Sequence, residues 1–394
     1  MSDSQSTGIG PVIKRELKRM TSRPLYILLT LVFPLIAFGF FWTIFHQGIP
    51  RNLPVAVLDE DHSMFSHKIT RMIDATASMQ VTAKVSNIQN GESLLRKGNC
   101  YALILLPKHL ERDAFNRQAP QVVNFYNNEY LLAGSMINRD VLQVIRTVSA
   151  GIDLRSRQKQ GEMTTAALAH LEPIQLKKEV LFNPYTNYFY FLSGTLNPTM
   201  LQMFVLILSI YALGVELKEG TAREWLNTAA GSPWKAVIGK LIPYSVIFFI
   251  LGLFMNVFHF RYLNAPLRGN WFLIGAGTIM FVLSYQAIAL LIISITSNTR
   301  LALSVGAFYS STAFAFVGMT FPLIAMPAIA KTWGAIIPLT YYLKIFVDQS
   351  MRRAPLSINL SDLGVIILFV VILPPVAMIR MRTLITESKY WGRI

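Results

Sequence analysis

Three adjacent carboxylates, Asp59, Glu60 and Asp61, are the densest set of acid-base groups in this sequence. At the end of a strand-like run they suit a turn and the N-cap of a following helix better than a general acid-base pair. The six histidines, His46, His62, His67, His109, His170 and His259, form no HExxH or HxxxH pair. The single cysteine, Cys100, can complete neither an intrachain disulfide nor a Cys-rich zinc site. No Gly-x-Ser-x-Gly turn accompanies a His and an Asp between residues 46 and 190, so nucleophilic hydrolysis has no support. The nearest approach to a phosphate-binding loop, Gly231 to Gly239-Lys240-Leu241, has the wrong spacing and a Leu where the magnesium-ligating hydroxyl belongs. The chain is therefore expected to hydrolyse no ATP by that route and to bind no cofactor of its own.

The elements that hold these residues belong to a lipid environment. Of 394 residues, 53% are hydrophobic and only 14% charged. The 36 Lys and Arg against 21 Asp and Glu, a net +15, then read first as membrane topology, and no nucleic-acid partner is expected. Leu25 to Phe45 is an uncharged run long enough, at about 1.5 Å per residue, to cross a hydrocarbon core of about 30 Å. No small-x-small cleavage site follows it, so it is expected to be an uncleaved first span. Further apolar blocks run Asn197 to Val215, Leu241 to Phe258, Trp271 to Ser297, Leu301 to about Met326, and Leu363 to Ile379, giving six expected spans. The last is short and carries Pro374 and Pro375, which should kink its final turns. Lys14, Arg15, Lys18, Arg19 and Arg23 before the first span, and Arg380, Arg382, Lys389 and Arg393 after the last, place both termini in the cytoplasm. Ile9, Ile13, Leu17 and Met20 share one face of an amphipathic N-terminal helix within residues 1–24, expected to lie on the inner membrane surface.

Residues 46–190 turn abruptly polar, enough chain for one domain. Strand-like runs at Leu53 to Leu58, Gln80 to Val85, Tyr101 to Leu106 and Gln121 to Phe125 alternate with helix-like stretches at Ser63 to Ala77, Ile88 to Lys97 and Pro107 to Phe115. A long helix is expected over Leu131 to Gln160, and Tyr185, Tyr188, Phe189, Tyr190 and Phe191 suit an interfacial belt at the return to the membrane. The expected fold is an α-helical polytopic membrane protein of six transmembrane helices with an α/β extracytoplasmic domain inserted between spans one and two.

The loop between spans two and three, within 216–240, is the most informative stretch. Glu216, Glu219 and Glu224 surround Gly220 and Thr221, followed by Trp225, Leu226, Pro233, Gly239 and Lys240. Gly220 permits a sharp turn, Thr221 can cap a helix from Ala222, and Trp225 with Leu226 offers an apolar plug for a partner groove. Charges between two spans often only solvate a loop, but further matches accompany these. Phe321-Pro322 to Pro327, then Pro338 to Tyr341-Tyr342, break any continuous helix in segment 321–345. Asn183-Pro184 precedes span two, and Ser297-Asn298-Thr299-Arg300 forms a tight turn between spans four and five.

In this order the motifs resemble the type-2 permeases of ATP-binding-cassette (ABC) exporters, over nearly the whole chain and closest to the subgroup with a large outer insert. The resemblance implies an ATPase-coupling surface at Glu216, Glu219, Gly220, Thr221, Glu224, Trp225 and Pro233. It implies an outer re-entrant gate at Phe321, Pro322, Pro327, Pro338 and Tyr341, and a substrate path between spans two and five bearing Asn197, Gln202, Tyr211, Tyr309 and Ser311. It further implies separate ABC ATPase subunits that bind ATP and Mg, a second permease copy or paralogue, contact with membrane lipids, and a bacterial inner membrane. The size of the outer domain suits recruitment of a periplasmic adaptor. Uncharged spans disfavour an ion-coupled carrier and suit an amphipathic, drug-like or lipid-like cargo for export. The competing expectation is a membrane-anchored receptor or scaffold acting through its outer domain.

Overall fold

A computed structural model describes residues 7–45, 48–116, 118–160, 181 and 187–392. Phe182, Asn183, Pro184 and Tyr185, singled out in the sequence, lie outside them. The chain divides into two compact units, one of Met1–Gly48 with Val180–Ile394 and one of Ile49–Glu179.

The first unit opens with α1 (Ile9–Ser22) and, after the extended Arg23, α2 (Pro24–Phe45), where Pro24 serves as a helix start. A π turn at Leu28–Val32 interrupts α2, whose outer residues Leu25, Leu31, Ile36 and Phe40 remain exposed as expected of a lipid-facing helix. On α1 the buried residues are Val12, Glu16 and Met20, whereas Ile9 and Leu17 are exposed. Of the four residues expected to share the apolar face, only Met20 is buried, and the stripe that packs is Val12, Glu16 and Met20. The face that packs on the rest of the unit carries a glutamate.

The second unit runs β1 (Leu53–Asp59), α3 (Met64–Asp74), β2 (Met79–Val85), α4 (Ile88–Arg96), β3 (Ala102–Leu106), α5 (Leu110–Phe115), β4 (Val123–Tyr126) and α6 (Leu131–Lys159). The strands form one sheet in the order β2-β1-β3-β4, with β1 parallel to β2 and β3, and β4 antiparallel to β3. Val55, Val57, Ala102 and Ile104 face one side, where Ile69, Ile73, Ile137 and Val141 of α3 and α6 cover them. The acidic triplet closes a turn: Asp59 Oδ1 accepts from the backbone N–H of Asp61 and His62, at 3.1 and 3.0 Å. Asp61 Oδ2 accepts from Glu111 N at 3.1 Å, and the cap of α3 is Ser63, whose hydroxyl accepts from Ser66 N.

Returning to the first unit, the chain forms α7 (Tyr188–Lys218), α8 (Ala222–Thr228), α9 (Pro233–Val257), α10 (Trp271–Thr296), α11 (Thr299–Phe316), α12 (Ala328–Ala335), α13 (Pro338–Val347) and α14 (Leu356–Thr386). Among the described residues five helices are long and apolar enough to cross a membrane: α2, α7, α9 with its π extension to Tyr262, α10 and α14. The fifth apolar block differs from expectation. Its helix α11 has 18 residues and ends at Phe316, because Gly318 (φ +83°) reverses the backbone before the run reaches Met326. The last block also differs: α14 extends over 31 residues and continues through Pro374 and Pro375. Between α10 and α11, Ser297 adopts a left-handed conformation and Asn298 caps the new helix by accepting from Leu301 N at 3.0 Å.

Candidate functional site

The loop after α7 is two reversals around a short helix. Gly220 (φ +68°) ends α7, Thr221 N donates to Glu216 O at 3.0 Å, and α8 begins at once. Ala230 (φ +57°) and Gly231 (φ +71°) make the second reversal, after which Pro233 opens α9 at a position that needs no N–H. Thr221 occupies the cap position of α8 but makes no cap bond; its hydroxyl donates to the Glu216 carboxylate instead. The exposed residues of the corner include Lys218, Glu219, Gly220, Arg223 and Glu224 at the first reversal and Ala230 and Gly231 at the second, with Thr221 and Pro233 half-buried.

Two residues expected on the docking surface face inward. Trp225 is fully buried, its Nε1 donating to Ala236 O at 3.1 Å and its ring lying 5.5 Å from Lys240 Nζ. It is a core side chain of this chain and offers no plug to a partner, since one turn of helix after Thr221 points it back at α9. Glu216 is likewise fully buried.

Glu216 is buried within a set of charges drawn from three helices, α1, α7 and α9, and the links beside them. Lys240 Nζ lies 2.8 Å from its Oε1 and 2.5 Å from Glu16 Oε2. Arg15 reaches both Glu216 oxygens, and Arg19 Nη1 approaches Oε1 at 2.5 Å. Tyr244 donates to Glu16 Oε1 at 2.5 Å. At the exposed end Arg23 binds Glu219 with Nη1 at 2.5 Å and Nη2 at 3.2 Å, while Arg19 Nη2 lies 3.5 Å from the same carboxylate. The Arg23 hydrogen bond holds the Glu219 carboxyl below the usual carboxylate range, and Glu219 in turn raises Arg23. Three acids, Glu16, Glu216 and Glu219, thus meet four bases, Arg15, Arg19, Arg23 and Lys240. Buried charges at this depth persist only when paired and hydrogen-bonded.

Close backbone approach makes the cluster possible. A Cβ on Gly239 would lie 2.9 Å from Val12 Cβ and 3.0 Å from Ile9 O, so α1 rests on α9 one residue before Lys240. Backbone bonds from Gly8 N to Thr228 O at 2.8 Å and from Gly392 N to Leu217 O at 2.9 Å tie both ends of the unit to the same corner. Arg15, Glu16, Arg19 and Tyr244 were not expected as site residues. Their signal is the stripe Val12, Glu16, Met20, where an acid interrupts an apolar face, with arginines repeating every four residues at 15, 19 and 23.

The five residues expected along a substrate path do not converge within this chain. Asn197 is buried near Ser193, Asn256 and His259, with Oδ1 unpartnered. Gln202 is buried between α7 and α11, its Nε2 donating to Ser310 O at 3.2 Å. Tyr211 packs on Tyr26 of α2 at 5.5 Å, Tyr309 donates to Ile336 O at 2.7 Å, and Ser311 is exposed on the far face of α11. The expected gate segment is a broken helix. Pro322 precedes a 3₁₀ turn at Leu323–Ala325, Pro327 precedes α12, and Pro338 opens α13. Gly334 packs against the end of α11, where a Cβ would meet Phe316 O at 2.5 Å; Tyr341 donates to Ala335 O at 3.0 Å, and Phe321 is exposed.

No curated protein matches the chain. A family model described as ABC-2 family transporter protein matches residues 24–377, from the start of α2 into the last turns of α14 and across both units. With apolar helices able to cross a membrane and a match over most of its length, the chain belongs to the ABC-2 family of transporter proteins.

Proposed function

We propose that this chain is the permease subunit of an ATP-driven exporter, energised by a separate ATPase that docks on the exposed corner of Glu219, Gly220, Thr221 and Glu224. The observation that carries the reading is the tie between that corner and the helices. Glu219 is bound to Arg23, which directly follows α1, and Arg19 of α1 reaches Glu216, which is bound in turn to Lys240 of α9. A push on the corner would be delivered to α1, α7 and α9 together, since contiguous packed and paired groups transmit displacement.

In this reading the corner and both termini are cytoplasmic, the unit of Ile49–Glu179 is extracytoplasmic, and the membrane is a bacterial inner membrane. The helix α11, at about 27 Å by its length, serves as a sixth span. Its hydroxyl-rich stretch Tyr309 to Thr312 dilutes its hydropathy and suits a protein-facing or cargo-facing helix. The cargo is amphipathic, drug-like or lipid-like, because α7 from Asn197 to Val215 and α11 from Leu301 to Phe316 carry no Asp, Glu, Lys or Arg. Exposed Ser311 then lines a path completed by a second copy or a paralogue, and the outer unit is positioned to recruit a periplasmic adaptor.

The test is affinity purification of the tagged chain under mild conditions with mass identification of its partners. The wild type is expected to retain an ATPase that Glu219→Ala with Gly220→Trp loses while still eluting as a folded membrane protein. A wild type that brings down no ATPase would end the proposal and favour the anchored-receptor alternative.

A further inference from the structure

The long helix α6 carries more apolar stripe than its sheet can cover. Ile137, Val141 and Val144 lie in the core of the α/β unit. The same three-and-four spacing continues through Val148 and Ile152 and then, without a break, through Arg155 and Lys159. At 3.6 residues per turn these seven residues project within about 80° of one another. Beyond Val144 the stripe enters a cavity of about 1160 Å³, walled on the other side by Phe65 and Phe115, whose rings lie 5.7 Å apart. Arg155 and Lys159 line its far end and are exposed. Asp153 also lines the cavity and is paired with Arg157 at 3.1 Å, and among the described residues no carboxylate lies within ion-pair distance of Arg155 or Lys159. The groove thus has an apolar wall at Phe65, Phe115, Val148 and Ile152 and a polar end at Ser156 and Gln158, where Arg155 and Lys159 have no acidic partner among the described residues.

We infer that this groove binds a single-chain anionic amphiphile of the fatty-acid class, its acyl chain between Val148, Ile152 and the Phe65–Phe115 pair and its headgroup on Arg155 and Lys159. A cavity of this size lined by apolar side chains, with a few convergent polar groups, has the composition of a ligand site. Charge-assisted hydrogen bonds from an arginine and a lysine are the strong contacts that would fix a carboxylate there. The inference stands apart from the transport reading, since occupancy of the groove needs no ATPase.

The full chain, in nanodiscs of phosphatidylcholine, is photolysed with a diazirine-bearing palmitic acid, and the labelled peptides are mapped by mass. Label is expected on the peptides containing Phe115 and Val148. Arg155→Glu with Lys159→Glu should cut that label roughly tenfold, the equivalent of one charge-assisted hydrogen bond, and Val148→Trp should cut it by filling the groove. The methyl ester of the same probe should label the groove weakly. Label confined to the membrane helices, groove label unmoved by either variant, or equal labelling by acid and ester would each overturn the assignment. Because both charge reversals fall on exposed side chains, equal elution of variant and wild type separates loss of ligand from loss of fold.

Discussion

Arg15 holds Glu216 with two parallel hydrogen bonds, Nη1 to Oε1 at 2.7 Å and Nη2 to Oε2 at 2.9 Å, across 201 residues of sequence. The bidentate form fixes orientation as well as distance, which a lysine at the same place could not do. A short N-terminal helix is thereby fastened to the end of a membrane-crossing one. Arginines that a sequence reading assigns to topology also hold a joint together.

Removing one partner of this cluster should cost more than any exposed charge. Glu216→Gln leaves Arg15 without its carboxylate, Arg19 with only Glu219 at 3.5 Å and Lys240 with only Glu16, so positive charge loses compensation in a buried place. The expected loss is about 3–5 kcal/mol of stability, read as a lower Tm of the purified chain in detergent. The same substitution at exposed Glu224 should change Tm little. A Glu216→Gln protein that melts with the wild type would mean that water, not protein, compensates these charges.

The exposed end of the cluster has its own pH dependence. Arg23 depresses the Glu219 pKa, so the pair's contribution is complete above the unfolded-state value, about 4.3, and disappears as pH falls through the lower folded value. Both side chains are partly exposed, and the contribution should stay below about 1 kcal/mol. Wild type should therefore melt slightly above Arg23→Gln at pH 7, with the gap closing in acid. A gap that widens on acidification would contradict the sign of the shift.

Trp225 separates a structural role from a docking one. Trp225→Ala empties a fully buried indole site and removes its hydrogen bond to the Ala236 carbonyl, at an expected cost of about 3–5 kcal/mol. Trp225→Phe should cost less, because it keeps most of the packing. The variant that still folds should bind the ATPase subunit as wild type does, measured as partner recovered per folded chain. A Trp225→Phe chain of normal Tm that loses its partner would return this residue to the interface.

Much of the fold was legible in the sequence for a simple physical reason: hydropathy and period are local. Uncharged runs located the long helices, and short strand-like runs located β1, β2, β3 and β4 to within a residue or two. The end of α11 was not legible, because Val317 to Met326 stays apolar while Gly318 turns the chain. The candidate site was legible only in part. The exposed corner follows from Gly220 and its neighbouring acids, but a partner 201 residues away leaves no periodic trace. The inward face of Trp225 likewise depends on where α9 lies. What could have been noticed is that Glu16, Glu216 and Lys240 each sit in or beside an apolar stripe, where a charge requires a partner.

Packing between α7 and α11 yields the last prediction, and it turns on which neighbour can yield. A Cβ on Gly306 would lie 2.6 Å from Ile210 Cδ1, the end of a side chain free to rotate. A Cβ on Gly214 would lie 2.5 Å from Thr299 Oγ1, 2.8 Å from Cγ2 and 3.1 Å from Cβ, the whole of a short β-branched side chain on the first turn of α11. Thr299 cannot turn away, so the helices themselves must separate. Gly214→Ala is expected to cost about 1–3 kcal/mol and Gly306→Ala clearly less, both read from thermal unfolding of the purified chain. Thr299→Ala should recover most of the Gly214→Ala loss when the two are combined, since it removes the atoms that clash. Independent, additive losses in that double variant would show that Gly214 is small for some reason other than Thr299.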